Sequence, residues 1–300
     1  RVNEMTYIKK DKSLTCPEQD LRHCAIDTPL ESIYNETLID NKDRVTLLEN
    51  GQDSLLIRLH LIKAAQTSID IQTFIWVNDE SGHLMLAELL QAAKRGVKVN
   101  IIIDQLFSMG NTWLLAELAT LHENLNIRMF NPLFNEAHTS KFDFFSAITC
   151  CLYNLNRRMH NKLFLVDDKY GINGGRNYSD RYFDWDTTFN YRDRDALAIG
   201  AVANQMKQSF NEFWESQWIV PLENLDDVAY RILNNQETSS EWSIARQTIS
   251  AILSLKSFDY NNIKLKFADN AIVVDDVEYF SDSPAKLFTK SKESDDKYKQ

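Results

Sequence analysis

The chain has 300 residues, 44% of them hydrophobic, and a formal net charge of −10. That content is enough for a sizeable core and excludes global disorder, while the acidic balance counts against nonspecific nucleic-acid binding. No apolar run approaches the ~20 residues of a membrane-spanning helix. The N-terminus lacks the apolar core of a signal peptide, and a chain opening on Arg1 is expected to have lost any targeting segment.

Residues 1–44 are polar, show little periodicity and read as an N-terminal extension. Cys16 and Cys24 within it fit equally a disulfide in an exported chain and two free thiols. From Gln52, the residues Leu55, Leu56, Leu59, Ile62 and Ala65 recur at helical spacing. Ser68–Val77 alternates and then turns continuously apolar, which suits a central strand. Ser81 is placed to cap a helix that Gly96 ends, and Val97–Asp104 is a second strand. Strand–helix–strand alternation predicts a right-handed crossover and a largely parallel sheet.

A helix over Thr112–Glu123 and a strand at Ile127–Phe130 follow. Lys141–Leu155 is apolar-rich; its Phe142–Leu152 stretch fits a core helix or a lipid-touching segment, and Cys150 and Cys151 read as buried small hydrophobes. Strands are expected at Lys162–Asp167, Gly171–Asn173 and Asp195–Gly200, then a helix over Ala201–Ser216. Two polar helices, Leu225–Leu233 and Ser239–Leu255, precede short strands near Ile263–Phe267 and Ala271–Val274 and a charged tail.

The chemistry concentrates between His160 and Asn177. On a strand, His160 and Lys162 project from one face, and Gly174-Gly175 brings Asn177 to them through a turn where backbone can approach a ligand closely. An imidazole, an ammonium and an amide at one point suit the nonbridging oxygens of a phosphodiester. Histidine attack on phosphorus would give a phosphohistidine, and Lys162 and Asn177 would stabilise the charge that develops. An attacking histidine needs an acceptor for its other ring nitrogen. Asp193 and Asp195 both qualify, Asp193 the better of the two. Asp167 falls on the opposite strand face, where a structural role with backbone amides or a cation is expected. His23, His60, His83, His122 and His138 show no metal-ligand spacing, so neither a metal nor a cofactor is expected.

The run MHNKLFLVDDKYGINGGRNYSDRYFD (Met159–Asp184) resembles the His-Lys-Asp (HKD) motif of the phospholipase D superfamily. GGRNYSDRYF, FNP at Phe130–Pro132, TFIWVNDESGHLMLAELLQAAKRGVKVNIIID and RDRDALAIG (Arg192–Gly200) are similar to its bacterial cardiolipin synthase branch. The resemblance implies an α/β fold with a mixed sheet sandwiched between helices, catalytic residues at His160, Lys162 and Asn177, and a His-orienting carboxylate at Asp193. Gly175 would join His160, Lys162 and Asn177 against the substrate, with Asp167 and Gly174 as structural members of the motif. It implies no metal, and two motifs per active site, one His as nucleophile and the other as general acid.

No histidine follows His160, so this chain carries one motif. The organisation expected is an N-terminal extension (1–44), a catalytic half-domain (45–220) and a connecting segment with a polar tail (221–300). The second motif would come from a C-terminal half or a homodimer partner. Phospholipid and a membrane surface of the bacterial envelope, on its periplasmic side, are the expected partners. The alternatives are a homodimeric nuclease, which the acidic balance disfavours, and a lipid-binding half-domain without turnover.

Overall fold

The computed structural model describes residues 10–16, 24–105, 111–139, 145, 157–234 and 248–284. Among the described residues nine strands form one sheet: β1 (Asp43–Leu48), β2 (Ser68–Thr73), β3 (Lys98–Asp104), β4 (Leu125–Phe130), β5 (Leu163–Val166), β6 (Tyr170–Gly174), β7 (Asp195–Ile199), β8 (Ile219–Pro221) and β9 (Ile272–Val274). Their spatial order is β8-β4-β3-β2-β5-β6-β7-β1-β9. Among the described residues the α-helices are α1 (Leu30–Asp40), α2 (Gly51–Ala64), α3 (Glu80–Arg95), α4 (Thr112–Thr120), α5 (Val202–Trp214), α6 (Asp226–Asn234), α7 (Thr248–Lys256) and the short α8 (Tyr260–Ile263).

The sheet is mixed and flanked by helices, but it is not largely parallel. Only β2–β3 and β3–β4 pair in parallel, and the remaining neighbours pair antiparallel. The reason is connectivity: helical crossovers through α3 and α4 return the chain in the same direction, whereas β5 and β6 are joined by a tight hairpin. Asp167 and Asp168 turn that hairpin with φ of 52° and 54°.

The helix α2 is buried along nearly its whole length. It packs with Ile69, Ile71, Ile101 and Ile103 in one core, while Met206, Phe210 and Phe213 of α5 cover Phe130, Leu163 and Leu165 on the other side of the sheet. Side chains of a strand alternate between faces, so Asp70 and Gln72 of β2 point towards α5, where Lys207 reaches Asp70 at 2.5 Å.

Several sequence expectations shift. Asp79, not Ser81, caps α3: its carboxylate accepts from the Gly82 N–H at 3.1 Å, while the Ser81 N–H is taken by Asp180 at 2.7 Å. The strand expected at Ile263–Phe267 is helical, because Asp259 caps α8 through the Asn262 N–H and the turn widens into a π-helix over Lys264–Ala268. That widening buries Ile263, Phe267 and Ala268 together. The expected extension supplies α1 and the start of β1, and the expected connecting segment supplies β9. Cys16 and Cys24 are joined in a disulfide. Cys150, Cys151 and the Phe142–Leu152 stretch lie outside the described residues, apart from an exposed Phe145. Among the described residues no helix is long and apolar enough to cross a membrane.

Candidate active site

The site lies at the sheet end where β2 finishes, β5 starts, β6 finishes and β7 starts. His160 and Lys162 precede β5 on an irregular loop rather than on the strand. They still meet: Lys162 Nζ lies 3.3 Å from both ring nitrogens of His160 and donates to the His160 carbonyl at 2.9 Å. The ring of Phe74, just past β2, stands 5.0 Å from the imidazole and 5.7 Å from the amine.

The next residue after Phe74 holds Asn177. Asn177 Oδ1 accepts from the Ile75 N–H at 3.0 Å and from Thr73 Oγ1 at 3.4 Å. With the oxygen committed, the amide nitrogen is the end left to donate, and the Tyr182 hydroxyl is its partner. The segment Thr73–Ile75 is thus the common wall of the imidazole, the amine and the amide.

Partial desolvation pulls the His160 imidazole below its ordinary value, and the charge of Lys162 adds to the effect. Burial likewise pulls the Lys162 amine down to about 8, against the opposing charges of Asp193 and Asp195. A neutral imidazole beside an amine that titrates just above neutrality suits nucleophilic and proton-transfer chemistry.

Gly174 and Gly175 accommodate the two carboxylates. A Cβ on Gly174 would come within 2.1 Å of Asp195 Oδ1, and one on Gly175 within 2.3 Å of Asp193 Oδ1. The close approach that these glycines permit is therefore made by protein carboxylates.

Asp195 is fully engaged, accepting from Ser54 Oγ at 2.7 Å and Arg58 at 3.0 Å and pairing with Arg176 at 3.4 Å. Burial pushes its carboxyl up, but Arg58, Ser54 and Arg176 outweigh it, and the net shift is downward. Asp195 is committed to the fold and has no oxygen to spare for an imidazole. Asp193 remains near enough for its charge to act on Lys162, and among the described residues no hydrogen bond joins it to His160.

Asp167 sits at the far end of β5. Its carboxylate accepts from the N–H groups of Gln66, Thr67 and Ser68 and from Thr67 Oγ1, at 2.7–3.2 Å. It clasps the turn from α2 into β2, well away from the imidazole.

Sequence reading missed Phe74, Tyr182, Arg58 and Ser54. Arg58 carried a signal, being a charged residue inside the apolar run of α2; the others carried none. His60 bonds Thr28 Oγ1 and the Ser257 carbonyl, and burial holds it neutral with a value of about 4. Among the described residues no cluster of three or more His, Cys, Asp or Glu side chains is arranged to hold a metal.

A family model described as cardiolipin synthase, PLD-like domain, matches residues 59–214. A Helicobacter pylori protein of uncharacterized function is 40% identical over 197 residues, which cover 65% of this chain and 38% of that protein. Cardiolipin synthase C of Escherichia coli is 31% identical over 246 residues, covering 82% of this chain and 50% of that one. The crystal structure of phosphatidylserine synthase from Haemophilus influenzae is similar at a TM-score of 0.47 and 16% identity, covering 81% of this chain and 51% of that one. The chain thus spans half the length, or less, of the curated relatives it matches.

Proposed function

The chain belongs to the phospholipase D-like family of cardiolipin synthases, and on that premise we propose that it supplies one motif of an active site for phosphodiester transfer or hydrolysis on phospholipids. The observation that carries this reading is the Lys162 amine drawn against the His160 imidazole, with Asn177 held by the same Thr73–Ile75 wall.

Anchored donors around one imidazole favour an anionic phosphodiester. His160, as nucleophile, would form an N–P bond while the P–O bond to the headgroup breaks. A general acid would protonate the departing oxygen, giving the headgroup alcohol and a phosphatidyl-histidine. An acceptor hydroxyl or water would then attack phosphorus, transfer its proton to a base and release His160. In the complementary role, His160 would be the acid and the other motif's His the nucleophile. Asp193 is the carboxylate available to orient His160, and Gly175, lacking a Cβ, lets that carboxylate sit close against its backbone.

The second motif would come from a further half of the chain, in keeping with relatives of which the match covers half or less; a homodimer partner is the other source. Residues 45–220 are the proposed catalytic half and 221–300 its connection. The bacterial relatives and the Cys16–Cys24 bridge support a site peripheral to the membrane in the oxidising part of a bacterial envelope.

The test uses protein carrying both motifs with phospholipid vesicles. Acid quench should trap phosphatidyl-enzyme, and His160→Ala should abolish turnover without unfolding the protein. Turnover by His160→Ala near the original rate would overturn the proposal.

A further inference from the structure

After β9 the chain crosses the outer face of α5 and reaches the catalytic loop. Gln205 and Ser209 stand four residues apart there, beside Met206 and Phe210, which face the sheet. Gln205 grips the crossing backbone at two points: Oε1 accepts from the Tyr279 N–H at 2.9 Å and Nε2 donates to the Val277 carbonyl at 3.4 Å. Ser209 meets Ser281, hydroxyl to hydroxyl, at 2.5 Å. Val277 and Tyr279 pack against the α5 core. Burial pushes the Tyr279 phenol up to about 12, opposed by a hydrogen bond with Ser209. One residue past Ser281, the Asp282 carbonyl accepts from Asn161 Nδ2 at 3.4 Å.

Asn161 separates His160 from Lys162. It turns to the crossing segment while its two neighbours turn to each other and to Phe74. The loop lacks strand pairing, so its shape depends on local anchors. Residues 157–159 are anchored by Asn131 and Asp104: Asn131 Nδ2 donates to the Arg157 carbonyl, Arg158 donates to the Asn131 carbonyl, and the Met159 N–H donates to Asp104. Asn161 adds an anchor between the catalytic pair.

We propose that residues 277–282 form a strap that holds His160 and Lys162 in register, with Asn161 as the positioning residue through which it acts. The proposal takes His160 and Lys162 as the anion-binding pair and so rests on the function proposed above. The physical reason is preorganisation: a donor pair held in place binds an anion without ordering itself first, and small misplacements cost heavily.

The experiment is a double-mutant cycle on this chain with Asn161→Ala and Gln205→Ala, read by tungstate affinity and by NMR titration of the His160 ring. Each single variant should weaken tungstate binding about tenfold, and the double variant no further, because both cut one linkage. The imidazole, now held low by partial desolvation and Lys162, should titrate higher in both variants as the loop loosens. Wild-type affinity in both singles, fully additive losses, or an unmoved His160 titration would overturn the strap. Failure of the wild-type chain to bind tungstate would refute the anion site instead, and the His160 titration would still decide the strap.

Discussion

The two sides of the active site are held by different physics. His160 and Lys162 ride on an irregular loop; His160 is exposed, and Lys162 makes no ion pair among the described residues. Across the site, Asp195 bridges Ser54, Arg58 and Arg176 in a dry network. The proposed nucleophile is left exposed on a loop, and the buried Lys162 amine beside it is bonded to no carboxylate among the described residues. Groups that hold the fold are buried and joined by hydrogen bonds and ion pairs. A buried charge pair is a weak source of net stability but costly to break on one side, so the network fixes geometry rather than adding strength.

The largest effect should come from the dry side. Asp195→Ala leaves Arg58 and Arg176 buried without their counter-charge and should lower unfolding free energy by about 3–5 kcal/mol, read by urea denaturation. A loss below about 1 kcal/mol, ordinary for any point change, would erase the distinction between the two sides.

Gly175→Ala should cost less, about 1–3 kcal/mol as an overpacking change. The new methyl displaces the Asp193 carboxylate rather than a charge pair. A companion Asp193→Ala should relieve the clash and restore most of the loss, and failure to do so would sharpen the role of the backbone there.

On the loop side the readout is pH. The Lys162 amine has a folded value of about 8 against 10.5 for an ordinary lysine. Tungstate affinity should therefore fall as pH rises through about 8, where the amine loses its proton. Stability should move the other way: between about 8 and 10.5 the unfolded chain binds more protons, so folding becomes more favourable as pH rises through that window. Lys162→Met should flatten both profiles. A stability profile that falls through the window would contradict the assigned burial of the amine.

The smallest effect on stability belongs to His160→Ala. An exposed ring touching Phe74 and Lys162 should contribute no more than about 0.5 kcal/mol, while its loss removes the proposed nucleophile. A large drop in the urea midpoint would show that the loop supports the fold after all.

Much of the site was legible because its signals are local. His160, Lys162 and the Gly174-Gly175-Asn177 turn fall within one short run whose residue types already suit a phosphodiester. The strands β2 to β7 were legible from apolar runs bounded by turn residues. What failed did so for nonlocal reasons. Ser81 and Asp79 are both good caps, and the choice was settled by Asp180, which takes the Ser81 N–H from a distant part of the chain. Ile263–Phe267 has strand-like residues, and a capping Asp259 turned it helical. The parallel bias followed from the first crossovers and could not foresee the antiparallel half.

The sequence by itself determined which residues are candidates for the proposed chemistry, because those identities and spacings are covalent facts. Only the tertiary structure decided which carboxylate serves the fold. Asp193 and Asp195 differ by two positions in the chain, and what separates them is Arg58, brought from α2 to bond Asp195 at 3.0 Å. The structure alone also placed Asp167 far from the imidazole, clasping the α2–β2 turn, and carried the chain past β9 back to Asn161. These are contacts between segments some 100 residues or more apart. No local pattern encodes them, because their energy comes from burial and hydrogen bonding that exist only once the sheet has closed.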